Sequence, residues 1–215
     1  MDNGKRLPVC KAVLHFNTKK DEEVLVKVGV SAVDIAGARK NVESEIPEWD
    51  FDKVRKDART AWNNYLSKID ITTSDKEDKT IFYTALYHTA ISPNLFTDAD
   101  GRYLGMDLEV HQGDTINPLY TVFSLWDTFR ALHPLMTIID PNLNNQFINS
   151  LIRKHQEGGI YPMWDLASNY TGTMIGYHAV PVIVDAYMKG YRNFDAHEAY
   201  KASLRAAEYD TTGIK

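Results

Sequence analysis

The stretch DPNLNNQFINSLIRKHQEGG, residues 140–159, contains the signals of one complete α-helix and indicates the fold class of the chain. Asp140 is a favoured N-cap residue, Pro141 suits the first helical position, and Gly158-Gly159 can end the helix in a left-handed turn. Residues four apart share one helical face: Leu143, Phe147, Leu151 and His155. This spacing predicts an amphipathic helix whose apolar face packs against other helices.

Similar helix signals occur on both sides of this stretch. The spacing of apolar residues predicts further helices at 51–69, 79–91, 125–139, 174–189 and 195–208. Asp50 precedes the first of these, while Pro93 and Gly190 follow the second and the fourth as stop signals. Short and long connections alternate between the later helices, which is typical of antiparallel helical hairpins whose long loops open on one rim. The chain is therefore predicted to be mainly α.

The residues before Ser31 show a different pattern. Valines alternate with other side chains between residues 23 and 30, which predicts a short β-hairpin of residues 11–16 and 23–30. Two strands cannot bury a face by themselves, so we expect this hairpin to be the end of a larger sheet. Further along, residues 96–114 are expected to be irregular or hairpin-like, with Asp100-Gly101 at the turn.

Composition excludes several classes of protein. The 215 residues carry 24 basic and 29 acidic side chains, and the net charge of −5 argues against binding nucleic acid through its phosphates. The single cysteine, Cys10, excludes an internal disulfide framework and a zinc site built from cysteines. No apolar run approaches the roughly 20 residues needed to cross a membrane. Polar residues follow Met1, so no signal peptide is visible, as in a mature secreted chain.

Residues 123–130, FSLWDTFR, are the strongest candidate for a binding site. Trp126 and Asp127 stand together at a predicted helix start, and Arg130 follows one turn later. A tryptophan face can cover the apolar side of a pyranose, while carboxylate and guanidinium groups bind its hydroxyls. The same spacing also fits a structural role in which Ser124 or Asp127 caps the helix and Trp126 belongs to the core.

Two later stretches are weaker candidates. Residues 158–165, GGIYPMWD, repeat the tryptophan–aspartate pair at Trp164, on the rim where Trp126 is expected. Trp164 also fits a buried plug in a helix-to-helix turn. His178 lies in the first turn of a predicted helix, where a histidine is more often a hydrogen-bonded core residue than a ligand. The sequence NYT at 169–171 matches the N-glycosylation pattern, which is frequent by chance.

Several of these motifs, in this order, resemble glycoside hydrolase family 92, the calcium-dependent exo-α-mannosidases. The segments that carry the resemblance are YTALYHT at 83–89, SPN at 92–94, residues 123–130, residues 158–164, MIGYHA at 174–179 and DAYMKG at 185–190. The resemblance covers nearly the whole chain. It implies a fragment of a longer enzyme, in which an N-terminal β-sandwich precedes an (α/α)6 toroid.

The resemblance also implies a division of the chain. Residues 1–35 would be the last strands of the β-sandwich, residues 36–75 the linking helices, and residues 76–215 the first half of the catalytic toroid. The implied activity is inverting hydrolysis of terminal α-mannosides, as found in N-glycans or mannans. We expect the isolated 215-residue chain to be inactive because the rest of the active site is missing.

By the same resemblance, Trp126, Asp127 and Trp164 would bind the substrate, with Arg130 and His178 as further possible contacts. The catalytic acid, the catalytic base and the calcium ligands are expected beyond Lys215, so no catalytic residue and no metal ligand is assigned here. The remaining carboxylates in this region are expected to face solvent or cap helices: Glu157, Asp165 and Asp185.

Two alternative interpretations stay open. Another (α/α)6 glycosidase, of the glucoamylase or trehalase kind, would also use a tryptophan–aspartate pair at a helix start. A non-catalytic helical binding or scaffold domain would place all of these aromatic residues in its core. The expected partners are an α-mannoside glycan, and either the missing half of the toroid or a second copy held through exposed apolar helix faces. No nucleic acid or membrane is expected, and the family implies a periplasmic or secreted protein.

Overall fold

The structure, a computed structural model, describes residues 11–114 and 116–208. Cys10 and the polar residues after Met1 lie outside this part of the chain. Helices dominate the described residues, and their bounds are α1 Ile35–Glu45, α2 Phe51–Leu66, α3 Lys76–His88, α4 Leu125–Thr128, α5 Leu132–Ile139, α6 Pro141–Gly158, α7 Ala179–Met188 and α8 Ala196–Ala207. The prediction of a mainly α chain is confirmed.

Short antiparallel hairpins connect the helices. The strands are β1 Asn94–Leu95, β2 Arg102–Leu104, β3 Val110–Gln112, β4 Tyr120–Thr121, β5 Asp165–Leu166 and β6 Asn169–Tyr170. Strand β1 pairs with β4, β2 pairs with β3, and β5 pairs with β6. These hairpins occupy the connections before α4 and between α6 and α7, where long loops are predicted.

Helix α6 is built as its sequence predicts. The Asp140 carboxylate accepts a hydrogen bond of 3.1 Å from the Leu143 backbone N–H, and Pro141 occupies the first turn. Gly159 ends the helix with φ of +84°, a conformation that glycine adopts without steric cost. A salt bridge from Lys68 to Asp140 ties the start of α6 to the chain just after α2.

One hydrophobic core lies among helices α4 to α8. Helix α6 contacts α5, α7 and α8, and α5 also contacts α7. The buried residues of this core include Phe123, Leu125, Met136, Phe147, Ile148, Leu151, Tyr161, Val182, Ile183, Ala186, Ala199 and Ala202. Because α6 packs against three other helices, the loops at its carboxyl end are held in place from several sides.

The predicted hairpin of residues 11–16 and 23–30 differs in the structure. Residues 11–30 contain a turn at Lys20-Asp21 and no paired strand among the described residues. Val26, Val28 and Val30 are 70–77% exposed. Alternation marks a segment that can form one side of a sheet, but a strand requires a hydrogen-bonded neighbour, and the described residues provide none here.

One predicted helix is divided in two and another begins later than expected, and proline explains both differences. The 125–139 prediction divides into α4 and α5, and the 174–189 prediction begins only at Ala179. Pro134 and Pro181 each occupy the third position of α5 and α7. A proline ring clashes with the carbonyl four residues earlier, so it is tolerated only in the first turn of a helix.

The predicted turn at Asp100-Gly101 is present, but it is not the connection between β2 and β3. Asp100-Gly101 precedes β2, and the β2–β3 connection is formed by residues 105–109. Gly101 does adopt a left-handed conformation, with φ of +85°. The dipeptide therefore marks a real turn, which leads into the first strand and does not connect the two.

Candidate functional site

The two tryptophan-containing loops lie side by side. An isolated antiparallel bridge pairs Ser124 with Trp164, although the two residues are far apart in sequence. Ser124 precedes α4, which carries Trp126 and Asp127, and Trp164 directly precedes β5. The backbone thus brings the two predicted sugar-binding turns together on one side of the core.

Trp126 and Arg130 are in contact at the exposed edge of this region. Trp126 is 37% exposed, and the Arg130 guanidinium carbon lies 4.5 Å from the centre of its ring. The same carbon is 5.3 Å from the ring of Phe129. A guanidinium stacked on an indole keeps its N–H donors directed along the plane of the group, where a polar ligand could accept from them.

Asp127 is exposed and has one side-chain partner on its own turn. Its Oδ2 accepts a hydrogen bond of 2.6 Å from the Ser124 hydroxyl. An ionised carboxylate can accept further hydrogen bonds, so Asp127 retains acceptor capacity for ligand hydroxyls. Ser124, one of the two residues predicted to cap α4, occupies the N-cap position, but the helix has no side-chain capping hydrogen bond.

His178 belongs to the same surface through an aromatic contact. It is the N-cap residue of α7, and its ring centre lies 4.4 Å from that of Phe129. Gly176 allows this placement, because a Cβ there would lie 2.6 Å from the His178 ring. Burial lowers the pKa of His178, and the positive charge of Arg130 lowers it further. A neutral imidazole at this position can both donate and accept a hydrogen bond.

Asp165 contradicts its expected solvent-facing or capping role. Its side chain is completely buried, and its Oδ2 lies 2.9 Å from the Nζ of Lys154, which is also completely buried. The Thr121 hydroxyl donates to Oδ2 at 2.8 Å, and the Phe123 backbone N–H donates to Oδ1 at 3.1 Å. The two buried charges neutralise each other, and the two hydrogen bonds further compensate the burial of the Asp165 carboxylate.

The segment held by Asp165 contains a strained residue. Val122, between Thr121 and Phe123, has φ of +64°. A β-branched residue rarely adopts this left-handed conformation, whose cost is about 1–3 kcal/mol. The conformation turns the chain from β4 into α4, and it persists because Asp165 holds the residue on either side of it.

The other two carboxylates have structural partners. Glu157 accepts hydrogen bonds from the Tyr103 hydroxyl at 2.8 Å and from the Met106 backbone N–H at 3.0 Å. Asp185 forms a partly exposed salt bridge of 2.6 Å with Lys189 in the next turn of the chain. Glu157 thus anchors the β2–β3 hairpin to α6, and Asp185 pairs along the surface as expected of a solvent-facing residue.

Sequence reasoning did not identify the buried pair of Asp165 and Lys154. One signal was present, since Lys154 follows Phe147 by seven residues and Leu151 by three, and so lies on the apolar face of α6. A lysine at such a position is buried only when it is paired. Its partner is invisible in the sequence because it comes from a loop beyond the end of the helix.

No metal site is formed by the described ranges. Among residues 11–114 and 116–208, there is no group of three or more histidine, cysteine or acidic side chains placed to hold a metal ion. These residues by themselves do not fit a calcium ion. Within the same ranges, no helix has the length and apolar character needed to cross a membrane.

Comparison with known proteins identifies the family. The family model of the glycosyl hydrolase family 92 catalytic domain matches residues 37–214. The chain belongs to glycosyl hydrolase family 92.

Solved family 92 structures are similar to this chain. A family 92 α-mannosidase of Bacteroides thetaiotaomicron is 36% identical over 84% of this chain, with a TM-score of 0.80, and one of its structures contains mannoimidazole. A family 92 inverting mannosidase of the same organism is 34% identical over 81% of the chain, with a TM-score of 0.75. An uncharacterised secreted glycosidase of Arthroderma benhamiae is 30% identical over 193 residues.

The family 92 chain is much shorter than these relatives. It spans 24% of the length of the two Bacteroides enzymes and 20% of the length of the fungal glycosidase. Most of the residues of these relatives therefore have no counterpart in this chain.

Proposed function

We propose that this chain provides part of the terminal-sugar subsite of an exo-acting α-mannosidase. The observation that carries the proposal is the Ser124–Trp164 bridge, which places the Trp126-Asp127 turn beside Trp164. Support for mannose as the sugar comes from the family 92 α-mannosidases, one of them with mannoimidazole. The complete protein would act as a glycoside hydrolase.

The side chains of the region fit this role. The exposed indole of Trp126 offers an apolar face for the C–H side of a pyranose, and Asp127 offers acceptors for its hydroxyls. Arg130 offers donors beside the indole, and Trp164 would form a second wall of the subsite. His178 joins this surface through its contact with Phe129.

The chemical step requires groups that this chain does not supply. An inverting glycosidase uses a general acid and a general base about 6.5–9.5 Å apart, with a water between them. We propose that both groups and the calcium ligands come from residues beyond Lys215. The part of the chain described here would bind and orient the sugar and limit the access of water to it.

The wider organisation is proposed on the same basis. Residues 1–35 would be the last strands of a β-sandwich, 36–75 the linking helices, and 76–215 the first half of an (α/α)6 toroid. Terminal α-mannosides of N-glycans or mannans would be the substrates. The enzyme would be periplasmic or secreted, which the secreted fungal relative supports.

The proposal is tested with the full-length protein that contains this chain. Its hydrolysis of aryl α-mannoside and aryl α-glucoside is measured with calcium and with a chelator, in the parent and in two variants. Asp127→Ala should lower kcat/KM for the mannoside by about 10- to 100-fold, the effect of losing charge-assisted hydrogen bonds to a sugar. Asp52→Ala is the matched control, because Asp52 is 81% exposed and lies on α2.

Two results would overturn parts of this proposal. A preference for the α-glucoside would favour a different (α/α)6 glycosidase, and equal activity of the Asp127 and Asp52 variants would remove Asp127 from the subsite.

The isolated 215-residue chain should release no mannose. Its tryptophan fluorescence should respond to mannose, and Asp127→Ala should abolish the response.

A further inference from the structure

We propose that Asp165 is a positioning residue, which fixes the Trp126-Asp127 turn relative to Trp164 and so sets the affinity for the sugar. The inference rests on the proposed function for its sugar, and on the contacts of Asp165 for its mechanism. Asp165 itself does not touch the sugar. It acts through the backbone segments that it holds.

The Asp165 carboxylate contacts two residues of a distant segment. Oδ1 accepts from the Phe123 N–H at 3.1 Å, and Oδ2 accepts from the Thr121 hydroxyl at 2.8 Å. Both donors belong to the segment that leads into α4, at 42 and 44 residues from Asp165 in sequence. Asp165 therefore connects the end of β4 to the loop that follows α6.

The backbone between these two contacts is strained. Val122 has φ of +64°, and the direction in which the chain turns at this residue decides where α4 begins. A strained backbone conformation persists only where its surroundings determine it from more than one side. Asp165 binds the residues immediately before and after Val122, so loss of its carboxylate frees this segment to adopt an ordinary extended conformation.

Trp164, the residue next to Asp165, is held by its backbone contacts. Its backbone carbonyl accepts a hydrogen bond of 2.8 Å from the Thr171 hydroxyl, and its backbone pairs with Ser124. Trp164 is thus held by the β5–β6 hairpin on one side and by the anchored Asp165 on the other. A single buried carboxylate in this way fixes both tryptophan turns.

The charge of Asp165 is explained by its pairing with a buried lysine of α6. Lys154 Nζ lies 2.9 Å from Asp165 Oδ2, and both side chains have no exposed surface. Lys154 is fixed on α6, the helix that contacts α5, α7 and α8. The ion pair therefore connects the loop to the most constrained helix of the core, and such a pair specifies geometry more than it adds stability.

The variants must remove the contacts without leaving a buried charge. Asp165→Leu with Lys154→Met replaces the pair by apolar side chains of similar size, and it removes both hydrogen bonds from Asp165. Asp165→Asn with Lys154→Met is the conservative rescue. The amide oxygen can accept from the Phe123 N–H, and the amide NH2 can donate to the Thr121 hydroxyl. The surface pair gives the control, Asp185→Asn with Lys189→Met.

The first readout is the affinity of the 215-residue chain for methyl α-mannoside, measured by fluorescence for variants whose circular dichroism matches the parent. The variant with Asp165→Leu and Lys154→Met should bind about 10-fold more weakly or worse, because small displacements of positioning groups have large effects. The Asn/Met variant and the surface control should stay within about 3-fold of the parent. A purely structural role predicts equal affinity for both buried-pair variants, and that result would overturn the proposal.

The second readout does not depend on any sugar. The chain has four indole N–H groups, from Trp49, Trp62, Trp126 and Trp164, which give separate NMR signals. The Leu/Met variant should shift the signals of Trp126 and Trp164 and leave those of Trp49 and Trp62 unchanged. Unchanged Trp126 and Trp164 signals would overturn the proposal that Asp165 positions the two turns. Failure of the parent chain to bind mannoside, with these signals shifted, would instead count against the proposed function.

Discussion

Acid should destabilise the chain through His133, a histidine in the centre of the hydrophobic core. His133 is 1% exposed, and neither ring nitrogen has a hydrogen-bond partner among the described residues. Its ring stacks at 6.4 Å on Phe123 and meets Phe147 edge-on at 5.9 Å. An imidazolium ion in these surroundings would be neither hydrated nor paired, so burial lowers the pKa of His133 to about 4.

The size of the effect follows from the two pKa values. In the unfolded chain His133 has a pKa near 6.5, so it takes up a proton between pH 6.5 and about 4, while the folded chain does not. The folded state is favoured by the neutral ring above pH 6.5, and this contribution is lost as the pH falls towards 4. The difference between the two pKa values corresponds to about 3 kcal/mol.

Urea unfolding of the parent and of His133→Leu, followed by circular dichroism between pH 8 and pH 4, measures this loss. The substitution will change stability at every pH, so the quantity of interest is how the difference between the two proteins varies. Relative to pH 8, the parent should lose about 3 kcal/mol more than the variant by pH 4. Parallel curves for the two proteins would refute the assignment of this acid sensitivity to His133.

Three further predictions concern the helix ends and the aromatic surface. Gly159→Ala should lower the free energy of unfolding by about 1 kcal/mol, because φ is +84° and no atom lies near the new Cβ, so only backbone strain is added; urea unfolding measures it. Asp140→Ala should cost about 1 kcal/mol by the same assay, since α6 loses its N-cap, and Asp140→Asn should recover part of this. Arg130→Gln should raise the pKa of His178 in an NMR titration but leave it below its ordinary value, because burial is the larger cause. A His178 pKa unchanged in that variant would exclude an electrostatic contact with Arg130.

Helix ends were predictable wherever a local interaction decides them. Asp50 and Asp140 cap the helices that they precede, and Gly159 ends α6, because each of these contacts involves residues only a few positions apart. Pro134 and Pro181 were also local signals. Pro134 marks the start of α5, which periodicity alone joined to α4, and Pro181 marks the start of α7, which periodicity alone placed too early. Apolar spacing indicates which face is buried, but only the proline ring determines where α5 and α7 can begin.

The residue types of the candidate site could be predicted from the sequence, but the contacts that hold them in place could not. Trp126, Asp127 and Trp164 were recognisable as a sugar-binding pattern, and their role in binding stays a prediction. Asp165 has the same neighbour type as Asp127, a preceding tryptophan, yet one carboxylate is exposed and the other is completely buried. No spacing rule separates them, because burial depends on what the rest of the chain packs around each residue.

The residue sequence therefore determined the caps, the apolar faces and the kinds of side chain available for binding, since these depend on interactions within about one helical turn. The tertiary structure alone decided that Ser124 pairs with Trp164, and that Asp165 holds a segment more than 40 residues away in the chain. Such contacts depend on the packing of α6 against its neighbours, because a buried carboxylate is stable only where a cation and hydrogen-bond donors are brought to it together.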